Sequence, residues 1–269
     1  MADVLREVLE AVGTGGSVDH ITLVGDGEPT LSSDLGLLIE AIKERTDVPV
    51  AVITNGSLLQ DPEVREELAD ADRVLPTLTT NDLQIWRRIH RPHRDLVLAE
   101  TVRGLKEFSE EYRGDLWVEV MLVAGLNDGE GSLMGLFKVL QWVGPDRVDV
   151  MVPTRPPTEP WVEAPDPDRV LRAMELLGAY NAFVKEADGS FIVDGYSDIR
   201  DALLSISGRH PLREDVAERL SDGRGAPGTV ASMVDEGQMV RVKYRGEVFL
   251  LPHHLTKSEG LRYRGEEVA

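Results

Sequence analysis

The chain has 269 residues and not one of them is cysteine. That absence excludes disulfides, a thiol nucleophile, and any zinc or iron–sulfur site built on thiolates of this chain. Long apolar runs are also missing. None approaches the roughly 18 residues of a membrane span, and no leader-like pattern precedes the first helical segment, so a cytoplasmic location and no membrane partner are expected. Positive charge is scarce: 29 Lys and Arg stand against 48 Asp and Glu, a formal net charge of −19. The acidic surplus lies almost wholly before residue 208. Such a surface repels phosphate and argues against broad, non-specific nucleic-acid binding by the main body, though it serves equally as a solubility adaptation. No internal repeat or low-complexity tract is present.

A chain of this length buries a substantial core and has room for one large domain and one small one. Its pattern is organised around Ile21-Thr-Leu-Val-Gly-Asp-Gly-Glu-Pro-Thr30, an apolar run that breaks into Gly25, Gly27 and Pro29. The run predicts a buried strand ending in a tight turn. The glycines permit positive φ and let a ligand approach the main chain, while Pro29 withholds a donor and leaves nearby carbonyls open to a ligand ammonium. A purely structural strand-to-helix turn uses the same residues.

Before this stretch, apolar residues at 4, 5, 8, 9 and 12 predict an amphipathic helix. After it, Ser32 or Ser33 is expected to cap a helix with Leu35, Leu38, Ile39 and Ile42 on its buried stripe. Strands are expected at 48–53, 74–78, 117–123 and 148–152, separated by helices near 62–69, through Trp86, at 96–112 and at 132–143. Short apolar strands alternating with helices predict parallel βα units, in a barrel or an open sheet. Ligands of such folds sit at the carboxyl ends of the strands, where Gly25 to Pro29, Thr54, Asn55, Thr77, Asn127 and Arg155 all fall.

Residues 153–165, rich in proline and acid, are expected to cross the mouth of the sheet, with a long helix over 168–185, a strand at 191–193 and a helix near 199–206. Gly208-Arg-His-Pro211 marks the expected boundary between domain 1–207 and a module at 208–255, followed by a loose tail at 256–269. Two helices and a hairpin around Arg245-Gly246 predict a small winged-helix-like module. Arg241, Lys243 and Arg245 alternate on its strand, but the second helix carries no Lys or Arg, which favours a solvated face or a protein-docking module over a DNA reader.

Among single residues, Thr54 and Asn55 offer hydroxyl and amide partners to a ligand or simply cap a turn. Alternation places Trp117, Glu119, Met121 and Val123 on one strand face. Glu119 is costly to bury unpaired and is expected to face a polar lumen, binding a ligand there or forming a salt bridge, with Arg155 as one candidate. It is also the candidate acid or base of a metal-independent barrel enzyme. His90 and His93 have a metal-compatible spacing without a third ligand in sight, so no metal residues are assigned.

Gly-Asp-Gly-Glu-Pro-Thr at the end of an early strand resembles the GGEP element of the radical S-adenosylmethionine (radical SAM) superfamily. The similarity continues through Ile53-Thr-Asn-Gly-Ser-Leu-Leu59, Pro76-Thr-Leu78, Ile89-His-Arg-Pro-His93, Val118-Glu-Val-Met-Leu-Val-Ala-Gly-Leu-Asn-Asp128 and Arg155-Pro-Pro157, covering most of the chain to about residue 160. Within that superfamily the sequence resembles the Fe–S oxidoreductases grouped near the wyosine-tRNA synthesis enzymes. The resemblance implies an incomplete parallel (β/α) barrel missing its first strand, with the cofactor S-adenosylmethionine (SAM) held by Gly25, Asp26, Gly27, Glu28, Pro29, Thr54, Asn55, Thr77, Glu119 and Arg155. By analogy with tRNA-modifying relatives it also implies an RNA substrate. Two departures stand out. Thr77-Leu78-Thr79 replaces the family's Ser-Leu-Asp, and the CxxxCxxC loop that holds a 4Fe–4S cluster is absent. Such a chain has no catalytic residue for radical chemistry as it stands. Two accounts follow: a reading frame whose true start and cysteine loop lie upstream of Met1, or a naturally cluster-less SAM or nucleotide sensor acting through the C-terminal module.

Overall fold

The computed structural model describes residues 1–13, 18–25, 27–181, 193, 196–209, 211–244, 246–253 and 266–267. They form two compact units, one of Met1–Val152 with Pro165–Ala182 and the other of Pro153–Ala164 with Phe183–Ala269.

The first unit runs α1 (Ala2–Gly13), β1 (Ile21–Leu23), a 3₁₀ turn (Pro29–Leu31), α2 (Leu35–Lys43), β2 (Val50–Thr54), α3 (Pro62–Glu67), β3 (Arg73–Pro76), α4 (Leu83–His90), α5 (Leu98–Glu111), β4 (Asp115–Met121), α6 (Glu130–Val143), β5 (Arg147–Met151), α7 (Pro167–Leu177) and β6 (Tyr180–Asn181). The six strands lie side by side in sequence order, every pair parallel. Among the described residues β1 and β6 are edges, so the sheet is an incomplete, open form of the (β/α) barrel. Its sidedness follows from strand alternation. Val52, Val74, Val118, Val120 and Val150 are wholly buried on the helix-covered side. Arg73, Trp117, Glu119, Met121, Arg147 and Met151 look the other way and are half-buried or more exposed.

Local chemistry sets the element ends. Asp82 caps α4 by accepting from Gln84 N and Ile85 N at 2.8 and 2.9 Å. Asp61 and Pro62 open α3 in the same spirit, with Glu63 N donating to Asp61. The expected Ser32 or Ser33 cap of α2 is not used: Asp34 occupies the cap position without a side-chain cap bond, and Ser32 Oγ accepts from Asp34 N instead. The helix expected over 168–185 stops at Leu177, because Gly178 turns the chain left-handed at φ 61° and β6 follows. Of the strand expected at 191–193, only the buried Val193 is described, and it is not in a strand.

The second unit contains α8 (Ile199–Arg209), β7 (Leu212–Arg213), α9 (Glu214–Gly223), α10 (Thr229–Asp235), β8 (Met239–Tyr244), β9 (Glu247–Pro252) and β10 (Glu266–Glu267). The strands form an antiparallel sheet in the order β10-β8-β9-β7. Its core joins Ile199, Ala202, Leu203 and Ile206 of α8 to Leu212, Val216, Met233, Met239 and Leu250. The domain break expected at Gly208 therefore falls inside a helix, and the apolar residues of that helix before it pack into this core. Val242, Phe249 and Leu251 pack together on the opposite sheet face. Residues 153–164, expected across the barrel mouth, are part of this C-terminal unit, where Tyr244 Oη donates to Pro153 O at 3.5 Å. Of the three alternating cations, Arg241 is paired with Glu214 at 2.6 Å, Lys243 is exposed, and Arg245 lies outside the described residues.

Candidate functional site

The carboxyl ends of β1 and β2 are latched by one side chain. Glu28 caps the 3₁₀ turn, its Oε1 accepting from Thr30 N at 3.2 Å and from Thr30 Oγ1 at 2.7 Å. The same oxygen accepts from Thr54 Oγ1 at 2.5 Å, and Oε2 accepts from Asn55 N at 2.7 Å. Four donors on an anionic acceptor form a strong, directional cluster. The hydroxyl of Thr54 also accepts from Gly56 N at 3.0 Å, and Asn55 Oδ1 accepts from Ser57 N at 2.8 Å. Thr54 and Asn55 thus shape their own turn, which Gly56 completes at φ +70°. Gly25 and Gly27 are exposed. Gly25 is not in the left-handed region, and a Cβ there would meet Gly27 O at an ordinary 3.4 Å. At Gly27 nothing lies within 4 Å of where a Cβ would stand. What the glycines provide here is access to the main chain, not the positive φ expected from sequence.

The rim continues over β3 and β4. Thr77 N donates to Thr54 O at 3.0 Å, and Leu78 N donates to Glu119 O at 2.9 Å across an isolated parallel bridge between Thr77 and Glu119. Buried Asn127 ties the next two loops together. Its Oδ1 accepts from Val123 N at 2.7 Å, and its Nδ2 donates to Thr79 O at 2.9 Å and Met121 O at 2.8 Å. Thr79 Oγ1 sits 2.6 Å from His90 Nε2. Burial pushes the His90 pKa below its usual value. His93 instead lies 3.4 Å from Asp95, so the two histidines serve different neighbours.

Below the rim, Glu119 stands in register with Asp149, and Trp117 with Arg147. Arg147 donates to Asp149 Oδ1 from Nε and Nη2 at 2.9 and 2.8 Å. The Arg147 guanidinium also stacks 4.4 Å from the Trp117 ring and 4.5 Å from that of Tyr180. Arg73 covers the Trp117 ring at 3.4 Å and pairs with Asp115 at 2.7 Å. The Glu119 carboxylate has no hydrogen-bond or ion-pair partner among the described residues. Burial, helped by the charge of Asp149, pushes its pKa up to about 7.

That upward shift has a signed consequence for stability. Below the unfolded-state value of about 4.3 the group is neutral in both states and costs nothing. As pH rises toward 7 the unfolded chain ionises first, and stability is lost. Glu119→Gln is therefore expected to stabilise the protein by about 2 kcal/mol at pH 8 and by almost nothing at pH 4. Thermal melts of both proteins at the two pH values check this, and equal gains at both would contradict it.

Of the residues expected at the site, the structure brings Gly25, Gly27, Glu28, Pro29, Thr54, Asn55 and Thr77 together along one rim, with Glu119 one bridge away. Asp26 lies outside the described residues, and Arg155 belongs to the C-terminal unit. Sequence reading missed Asp149 and Arg147, whose alternation in Arg147-Val-Asp-Val-Met151 mirrors that of Trp117-Val-Glu-Val-Met121. It singled out Thr79 only as a departure from the family's acid and did not foresee its buried hydroxyl beside His90.

A parallel α/β partial barrel with accessible main chain at its carboxyl rim defines the class of protein. Residues 1–137 match the radical SAM superfamily. A UPF0026 protein of Methanocaldococcus jannaschii is 30% identical over 258 residues, covering 93% of this chain and 79% of that protein. The chain belongs to the radical SAM superfamily and, within it, groups with the UPF0026 proteins. A radical SAM methyltransferase from Sphaerobacter thermophilus has a similar fold at 17% identity and a TM-score of 0.52, covering 67% of this chain and 55% of that one. Streptococcus suis SuiB, solved bound to S-adenosylmethionine, gives 18% identity and a TM-score of 0.52, with 66% of this chain and 39% of that one covered. Among the described residues no helix is long and apolar enough to cross a membrane.

Proposed function

We propose that the chain binds S-adenosylmethionine at the rim of its sheet. Main-chain atoms of residues 25–29 would take the methionyl ammonium and carboxylate, with the Asn55 amide and Thr77 hydroxyl at the ribose or carboxylate. The observation that carries this reading is the Glu28 latch, which holds an accessible glycine-containing turn against the β2 turn. A ligand with both ammonium and carboxylate needs carbonyls and N–H groups held in fixed directions, and a turn pinned by four hydrogen bonds supplies them without reorganising. Glu28 acts here through the backbone it positions.

A 4Fe–4S cluster does not fit this chain. The cluster requires thiolates, and the sequence has none. We assign no redox step to its residues and propose only the binding of the cofactor for this chain. A second reading, a cluster-less SAM or nucleotide sensor or interaction protein, draws on the C-terminal unit: its order α8-β7-α9-α10-β8-β9 and its own core support reading it as a winged-helix-like module. The RNA substrate suggested by family analogy finds little support in a net charge of −19.

Calorimetry with SAM tests the main reading. Wild type is expected to bind. Glu28→Gln, which turns one amide N–H toward existing donors, is expected to bind about 30-fold more weakly, the equivalent of about 2 kcal/mol. Absence of binding by the folded wild type would end the proposal, and a gel-shift with nucleic acid on the same sample separates out the sensor reading.

A further inference from the structure

We propose that Glu119 is the specificity-determining contact for a substrate bearing an amine or guanidinium group, held on the inner face of the sheet beneath the rim. The inference deepens the SAM-binding reading and rests on it for the place of the second ligand. Its basis is the charge inventory of that face within the N-terminal unit. Arg73 is neutralised by Asp115 and Arg147 by Asp149, each through short contacts. Tyr180 is the residue in register with Asp149 on β6, and its ring stacks on Arg147. Among the described residues of that face Glu119 is the carboxyl left over, so in its ionised form the set lacks one positive charge.

Position strengthens the assignment. The Thr77 bridge places Glu119 one ladder step below the turn held by Glu28 and Thr54, close to any ligand of that rim. Half-buried Ile53, Leu75, Met121 and Met151 share its side of the sheet by alternation and offer apolar cover to a hydrocarbon body. A carboxylate is an acceptor only and is matched by N–H donors carrying positive charge. The raised pKa fits a group that awaits a cation, since an arriving ammonium would draw it back into the ionised form.

The test follows the Glu119 carboxyl by carbon-detected NMR, assigned with Glu119→Gln, in the chain alone and with SAM. Putrescine and agmatine are the probes, with butanol and succinate as neutral and anionic controls. Either amine is expected to lower the titration midpoint by a pH unit or more, and amine affinity should fall about tenfold per pH unit between the free and the amine-bound midpoints. In Glu119→Gln that pH dependence should vanish. An unmoved midpoint with both amines, or an equal shift with butanol, overturns the inference. A SAM affinity lowered tenfold or more in Glu119→Gln also overturns it, by making Glu119 a cofactor contact. If the amines act as expected but wild type binds no SAM, the SAM-binding reading fails and the amine site stands.

Discussion

Gly104→Ala is expected to destabilise the protein by about 3 kcal/mol or more, despite alanine's advantage of about 1 kcal/mol over glycine inside a helix. Gly104 lies in α5, where the helix crosses the chain that follows β2. A Cβ built there falls 2.3 Å from Gln60 N and 2.6 Å from both Gln60 Cα and Leu59 C. All three are main-chain atoms, so no side chain can swing away. Either α5 retreats from the sheet or the 59–60 segment moves, and that segment leads directly from the rim turn at Thr54 to Gly56. Thermal unfolding followed by circular dichroism should show a midpoint roughly 10 °C lower, on a scale of about 2–4 °C per kcal/mol for domains of this size. A midpoint equal to or above wild type would mean that helix and loop do not touch at Gly104.

Asn127→Asp is expected to cost about 4 kcal/mol at pH 8, from the change of one atom. The Asn127 side chain is 1% exposed. Its amide nitrogen donates to two carbonyls, those of Thr79 and Met121. Aspartate presents an anionic oxygen to both, losing two bonds and burying a charge without a cation. Protonation restores one donor, so the penalty should shrink as pH falls. Urea denaturation of both proteins at pH 8 and pH 5.5 measures this, and a pH-independent difference would show that the site admits water. Because Asn127 joins the loops after β3 and β4, loss of this tie should also loosen Thr79 from His90, visible as an upward movement of the His90 titration as burial is relieved.

Glu28 illustrates how far sequence reading reached and where it stopped. The turn at 25–29 was legible because an apolar run breaking into glycine and proline is a local signal. The partners of the Glu28 carboxylate were not, since Thr54 and Asn55 are 26 and 27 residues away and meet it only when β1 and β2 lie in register. The same holds for Glu119. Alternation along its own strand placed it on the inner face, but its neighbour Asp149 comes from register with β5, across an intervening helix.

By itself, the sequence determined the alternation of strands and helices, the placing of a glycine–proline turn at a strand end, and the lack of any thiolate. Each of these depends on residues within a few positions of one another or on composition. Tertiary structure decided that Glu28 is a latch, that the Glu119 carboxylate has no partner among the described residues, and that α8 joins the C-terminal core. The physical reason is that hydrogen bonds and desolvation act between atoms brought within a few ångströms, and in a parallel sheet those atoms belong to strands separated by whole helices.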